Sequence, residues 1–167
     1  MQLGTILWAV VCVGLLACTP DDDGRCTSDR TATFGTVGEA EPVIDITIRD
    51  IRFERLGGDV MGYREGIQAS LLLYGAQLQI TPPCGAREVE VVLDQTQVGF
   101  TATLFQTGDE TAFHTAYSET TSDLEPENGN YQRWTIYWPG DMVADRILLS
   151  NSGSIGVSTL LKSITFR

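Results

Sequence analysis

The side chains of this chain that could take part in catalysis are few. His114 is the single histidine, and Ser118 follows it four positions later. On an extended chain an even separation places two side chains on one face, which does not by itself make a catalytic pair. No serine lies in a Gly-x-Ser-x-Gly turn, and neighbouring carboxylates such as Glu88 and Glu90 are expected in so acidic a chain. We therefore predict that the protein is not an enzyme; a hydrolase using His114 is the weakest alternative.

The amino-terminal residues have the pattern of an export signal. From Ile6 to Ala17 the chain has no charged residue, and this run is too short for a transmembrane helix, which needs roughly 20 residues. A short apolar run that ends in a small residue is typical of a secretory signal peptide. The sequence predicts a signal peptide over residues 1–17.

The end of this run, Leu15-Leu16-Ala17-Cys18, resembles the lipobox of bacterial lipoproteins. The resemblance implies that Cys18 becomes the first mature residue and carries acyl chains, which anchor the protein in a membrane. Thr19 rather than Asp follows the cysteine, which in this family implies the outer membrane or the cell surface. The alternative is cleavage elsewhere, with Cys18 an unmodified thiol.

Residues 18–33 are predicted to form a flexible acidic tether. Asp21, Asp22 and Asp23 are consecutive, and like charges repel one another and keep a segment extended. A calcium site is the alternative for these aspartates, but the neighbouring residues lack the ligand spacing of a known calcium loop. We expect a spacer between the membrane and one folded domain.

The composition excludes nucleic acid as a partner. The formal net charge is −11, with 22 acidic and 11 basic residues, whereas binding to nucleic acid depends on basic residues that neutralise phosphates. The same charge disfavours adsorption to anionic lipid headgroups. The predicted membrane contact is therefore the lipid anchor alone.

Cys26 and Cys84 are the cysteines that remain when Cys12 leaves with the signal peptide and Cys18 is acylated. An even pair in an exported chain favours a disulfide. Two free thiols or a metal site are the alternatives, although His114 alone would be a poor partner for zinc.

From Val43 onward the apolar residues recur with a period of two, which indicates β-strands. A phase slip near Arg49-Asp50 predicts a β-bulge, and Gly57-Gly58-Asp59 is predicted to end that segment. A longer apolar stretch, Ile67 to Ile80, is interrupted at Gly75 and predicts two strands or one bent strand. About eight or nine strands and no helix predict an antiparallel sandwich or barrel. The remaining strands are predicted at 88–93, 98–105, 112–117, 134–138, 146–150 and 161–166.

Three segments resemble the jelly-roll sandwich of galactose-binding-like domains: residues 87–93, residues 98–105 and the closing segment 145–166 with its Ile164-Thr165-Phe166 end. The resemblance implies an all-β antiparallel β-sandwich over residues 34–167. It supports the fold more than the function.

Aromatic side chains of such domains often contact sugars, and this implies the candidate ligand-binding residues Tyr63, Tyr131 and Tyr137, with Tyr117 as a further candidate. Tyr137 alternates with Trp134 and Trp138, so it is exposed if the tryptophans belong to the core. Ordinary packing is the alternative for all of these rings. Members of this fold also commonly carry structural calcium, for which Glu39, Glu41 and Asp45 could supply oxygens. No other cofactor is expected.

The leading hypothesis is a lipid-anchored envelope or surface protein with a non-catalytic ligand-binding β-sandwich, whose ligand is a carbohydrate or a partner protein. The alternative is a structural or interaction subunit of an envelope complex. Both agree with the lipobox, the strand pattern and the lack of a catalytic group.

Overall fold

The computed structural model describes residues 25–94, 99–106, 108–118, 131–151 and 158–167. The predicted signal peptide, Cys18 and the aspartates at 21–23 lie outside these residues. All pairings between the named strands are antiparallel, and the described residues include no helix that could cross a membrane. The strands are β1 (Arg30–Thr33), β2 (Asp45–Ile48), β3 (Ile51–Glu65), β4 (Gln68–Thr81), β5 (Glu88–Asp94), β6 (Phe100–Phe105), β7 (His114–Tyr117), β8 (Tyr131–Tyr137), β9 (Arg146–Asn151) and β10 (Ser158–Phe166).

Strand β4 belongs to two sheets. Its residues 71–74 pair with β10, whereas its residues 77–80 pair with β9. The front sheet therefore has the order β7-β6-β9-β4-β3-β2. The back sheet contains β8, β5, β10, the first half of β4 and the second half of β3 (residues 59–65), with β1 also paired to β10. The fold is an antiparallel jelly-roll β-sandwich, as predicted.

The hairpin of β3 and β4 changes sheets at a double irregularity. The pairing register shifts on both sides of Gly57, and Gly58 and Gly75 both have positive φ angles, of 65° and 52°. Gly57-Gly58-Asp59 therefore does not end a strand as predicted, because left-handed glycines bend the chain without breaking the ladder. The alternative of one strand bent at Gly75 is confirmed.

The predicted bulge near Arg49-Asp50 is wrong. Both residues have positive φ angles, 50° and 67°, and Ile48 pairs directly with Ile51 across them. Positive φ at both central residues is the geometry of a two-residue type I′ hairpin turn. The phase slip in the sequence therefore marks the turn between β2 and β3.

The inner faces of the two sheets form one apolar core. Along β5, the buried residues Val89, Val91 and Leu93 alternate with more exposed ones, which confirms the period of two. Phe34 and Phe53 meet edge to face, with ring centroids 5.4 Å apart. Fully burying one such side chain stabilises the fold by about 1.5–3 kcal/mol, so these faces determine which residues point outward.

The domain begins earlier than predicted. Residues 30–33, assigned to the tether by the sequence, form β1 and pair with residues 163–166 of β10. Ala32 occupies a core position opposite Ile164, so one short apolar side chain is enough to fix this strand in the sheet. The predicted disulfide between Cys26 and Cys84 is confirmed, and it holds the segment before β1 against the turn after β4.

Candidate functional site

The outward side chains of three neighbouring strands in the front sheet form aligned rows. Their inward neighbours, such as Leu78, Ala102 and Leu149, are buried. Strand β9 lies between β4 and β6, so each full row takes one residue from each strand, and successive rows are about 7 Å apart. We call this surface the ladder face. Its rows are Gln77, Ser150 and Thr101; Gln79, Leu148 and Thr103; and the pair Arg146 and Phe105, next to which Thr81 continues β4 beyond the last Ile80–Ile147 pair.

The ladder face has a polar margin on the side of β3 and β2. Gln79 donates from Nε2 to Oε2 of Glu54 at 3.3 Å. Arg52 makes a two-bond contact with Asp45, with Nε to Oδ1 at 3.0 Å and Nη2 to Oδ2 at 2.7 Å. This hydrogen bonding to Arg52 lowers the pKa of the Asp45 carboxyl below its ordinary value. Arg52 of this margin is therefore already bound by carboxylates.

On the other side the ladder face ends at the edge strand β7. Tyr117 pairs with Thr101 and is 74% exposed. Its ring therefore offers apolar surface at the margin of the first row. Its neighbours in that row, Thr101 and Ser150, have small side chains. A phenol ring has an apolar body and a polar tip, which suits contact with a partly hydrated ligand.

The third row contains a fixed arginine. The guanidinium carbon of Arg146 lies 4.3 Å from the ring centroid of Phe105, which is a cation–π contact. Its Nη2 also donates to the carbonyl oxygen of Asp109 at 2.9 Å. These two contacts orient the guanidinium at the beginning of β9.

An open cleft of about 530 Å³ adjoins this row. It is lined by Thr81 at the end of β4 and residues 82–85 after it, by Gln106 and residues 108–110 after β6, and by Arg146 at the beginning of β9 with Asp145 before it. The turn after β4 is fixed by Pro82, Pro83 and the disulfide at Cys84. The cleft thus shares Thr81 and Arg146 with the ladder face.

The three tyrosines predicted as ligand-binding residues do not lie on the ladder face. Tyr63 is half-buried in β3, opposite Ser70. Tyr137 is 66% exposed on β8, while Trp138 is buried, which confirms that the two point to opposite sides. Tyr131 pairs with Asp94 along the backbone, and its side chain lies outside the described residues. β3 and β8 are separated by β4, β10 and β5 in the back sheet, so Tyr63 and Tyr137 are far apart.

The charged residues beside Tyr137 bind one another. Tyr137 pairs with Glu88, whose carboxylate accepts a hydrogen bond from Arg167. Arg133 binds Glu90 at 2.7 Å. Hydrogen bonds to Glu88 and then to Asp29 raise the pKa of the Arg167 guanidinium. The carboxylates of Glu88 and Glu90 beside Tyr137 are therefore already bound by arginines.

The residues considered from the sequence for catalysis and metal binding take part in strand pairing or in local hydrogen bonds. His114 is paired with Leu104 in β7, and the hydroxyl of Ser118 accepts the N–H of Phe100 at 2.7 Å. Glu41 accepts the N–H of Gly38 at 2.8 Å, and Asp45 is paired with Arg52. Within the described ranges, His, Cys, Asp and Glu form no group of three that could hold a metal ion.

The ladder face can therefore bind a ligand by hydrogen bonds from amides, hydroxyls and a guanidinium around an apolar centre at Leu148. Exposed aromatic residues do not mark this face in the sequence, because most of its members are Gln, Thr and Ser. The sequence does show the polar residues that alternate with apolar ones along each strand. It does not show the strand order, which is needed to know that these polar residues lie side by side.

Comparison with known proteins identifies the fold. No family model matches the chain, and no curated protein matches it. A solved structure of the family 29 carbohydrate-binding module CBM29-2 is 11% identical, with a TM-score of 0.54, and the match covers 84% of this chain and 91% of that one. A variant of that module in complex with mannohexaose is 9% identical, with a TM-score of 0.52 and coverages of 83% and 90%. The K2 cleaved adhesin domain of Lys-gingipain is 11% identical, with a TM-score of 0.54 and coverages of 84% and 99%.

Proposed function

We propose that the protein is a non-catalytic carbohydrate-binding β-sandwich and that its ladder face binds the glycan. The observation that carries the proposal is the alignment of Gln77 and Gln79 on one side of β9 with Thr101 and Thr103 on the other. These side chains stand on paired strands, so the surface exists before the ligand arrives. Two of the structures with a similar fold are variants of one carbohydrate-binding module, and one of these is a complex with mannohexaose.

The chemistry of the ladder face matches that of a sugar. A sugar hydroxyl both donates and accepts hydrogen bonds, and an amide or a hydroxyl side chain can do the same. Leu148 in the middle row and Tyr117 at the edge supply apolar surface for the C–H groups of a pyranose ring. A mixed surface of this kind orients a neutral, hydroxyl-rich ligand.

The test is a glycan array followed by calorimetry with mannohexaose on the purified protein. We expect binding, and we expect Gln79→Ala to weaken it about fivefold to tenfold, the effect of one lost hydrogen bond. Thr135→Ala, which changes an outward residue of the back sheet, is the matched control and should bind as the unchanged protein does. An array without any glycan signal would refute the function.

A second surface with Tyr137 is the competing location for the same function. The exposed ring of Tyr137 on the back sheet, together with Tyr63 and Tyr131, was the set proposed from the sequence. The ladder face is favoured because its polar groups form continuous rows, whereas Glu88 and Glu90 beside Tyr137 are bound by arginines.

We also propose that the protein is anchored through acylated Cys18 in the outer membrane or at the cell surface. The support is the sequence Leu15-Leu16-Ala17-Cys18, followed by Thr19. Mass spectrometry of the amino-terminal peptide should show acyl chains on Cys18, and Cys18→Ser should release the protein from membranes. An unmodified Cys18 in the mature protein would exclude this anchor.

A further inference from the structure

The cleft beside Arg146 continues the ladder face rather than forming a separate depression. The third row of the face consists of Arg146 and Phe105 with Thr81 next to them, and Thr81 and Arg146 also line the cleft. A ligand that occupies the second row at Leu148 therefore reaches the cleft by moving one step along β9.

From this continuity we propose that the cleft is an additional sugar subsite and that the glycan lies lengthwise along β9. The proposal rests on the proposed function. It assigns to Arg146 the role of binding one further sugar unit of a neutral glycan, beyond those held by the first two rows.

The direction of the glycan follows from the two walls of the cleft. One wall is the turn that comes after β4 in the chain, and the other is the segment that comes after β6. They stand on opposite sides of β9 because β4 and β6 are its two neighbours in the sheet. The first wall is held by the disulfide at Cys84. In the second, the N–H of Asp109 donates to the carbonyl of Gln106 at 3.0 Å, and the N–H of Thr111 donates to Asp109 Oδ1 at 2.8 Å. A glycan lying across the strands here would meet both walls, whereas one lying along β9 passes between them.

Arg146 is prepared to bind hydroxyl groups. A guanidinium has five N–H donors in a fixed plane. The Phe105 ring holds one face of this plane, and the carbonyl of Asp109 accepts from Nη2. Because these contacts already fix the side chain, little conformational entropy is lost when a ligand binds. The remaining donors suit two neighbouring hydroxyl oxygens of one sugar ring.

The charges around the cleft indicate a neutral sugar. Among the described residues that line it, Asp109, Glu110 and Asp145 are acidic and Arg146 is the one cation, so these charged side chains carry a net negative charge. A uronic acid or a sulfated sugar would meet this negative field. A neutral sugar avoids the repulsion.

The experiment measures affinity against glycan length. Calorimetry of the purified protein with mannobiose through mannohexaose should show affinity that rises until the cleft is filled. In Arg146→Ala, the longest members should lose about tenfold in affinity, while the shortest should bind as before. Arg146→Lys, which keeps the charge without the planar fork, should show the same length-dependent loss. Arg133→Ala, an exposed arginine of the back sheet, is the control and should match the unchanged protein at every length.

The possible results separate this proposal from the proposed function. If Gln79→Ala weakens all lengths but Arg146→Ala changes none, or changes all equally, the subsite is refuted and the function stands. If the unchanged protein binds no glycan on the array, the function itself is refuted. Binding of an oligogalacturonate as tightly as a mannooligosaccharide of equal length would refute the preference for neutral sugars.

Discussion

Gly58 and Gly75 face each other across the bend of the β3–β4 hairpin, and a Cβ atom on Gly58 would lie 2.3 Å from the carbonyl oxygen of Gly75. Both residues have positive φ angles. The bend sends the two strands from the back sheet to the front sheet, so this contact between two backbones shapes the beginning of the ladder face.

Gly58→Ala should therefore destabilise the protein strongly. The backbone strain of an alanine at positive φ costs about 1–2 kcal/mol, and the clash with Gly75 adds to it because the obstacle is backbone. Gly66→Ala is the matched control, since Gly66 has φ 59° but nothing within 4 Å of its added Cβ. Urea unfolding should show a larger loss of unfolding free energy for Gly58→Ala. Equal losses would mean that the contact at the bend is unimportant.

Removing the disulfide should lower stability without changing the fold. Cys26 and Cys84 are 58 residues apart, and closing a loop of this length stabilises by about 4 kcal/mol in the chain-entropy model. The double variant Cys26→Ser/Cys84→Ser avoids a free thiol, and we expect it to lose about 2–4 kcal/mol in denaturant unfolding. A circular dichroism spectrum that stays unchanged would show that the sandwich persists. No loss of stability would contradict the prediction.

The Asp45–Arg52 pair should be visible in an acid titration. Because the pKa of Asp45 is lowered in the folded state, the pair stabilises the fold at neutral pH, and this contribution disappears as the pH falls through the lowered pKa. Both side chains are about half exposed, so the contribution to stability is small. The carboxyl carbon shift of Asp45, followed by NMR, should titrate at higher pH in Arg52→Gln. Arg133→Gln should leave it unchanged.

The two candidate binding surfaces can be separated by single substitutions. Tyr117→Ala removes the exposed ring beside the first row of the ladder face, and Tyr137→Ala removes the exposed ring of the back sheet. We expect the first to weaken mannohexaose binding several-fold and the second to leave it unchanged, because aromatic faces contribute apolar contact to bound sugars. The opposite result would locate binding on the back sheet. Unfolding midpoints of both variants would exclude misfolding as the cause.

The sequence predicted the sandwich because strand identity follows from local alternation. The strand Glu88–Leu93 was readable in this way. The bend at Gly75 was one of two alternatives indicated by the glycine in an apolar run, and the disulfide followed from the pair of cysteines left in an exported chain. The turn at Arg49-Asp50 was not, because hairpin turns with two positive φ angles usually contain glycine or asparagine. The predicted tether was too long, because it included β1. This strand is held by pairing with β10, more than 130 residues away along the chain, and local composition does not indicate that contact.

The ladder face could not be predicted from the alternation of apolar and polar residues, because it too depends on pairing between distant strands. Gln79, Thr103 and Leu148 come from three strands that are far apart in sequence, and only the order β4-β9-β6 brings them into one row. Alternation indicates which side chains point outward, but it does not say which strands are neighbours. A single aromatic residue can be named as a candidate for sugar binding from the sequence alone. An amide becomes a candidate only when the residues beside it in the folded sheet are known.

The Cys26–Cys84 bond also determines how the domain responds to mechanical force. Strands β1 to β4 lie within the covalent loop that it closes. Tension applied to the amino-terminal end passes from Cys26 directly to Cys84 and continues into β5, so the weak four-residue strand β1 is not peeled from β10.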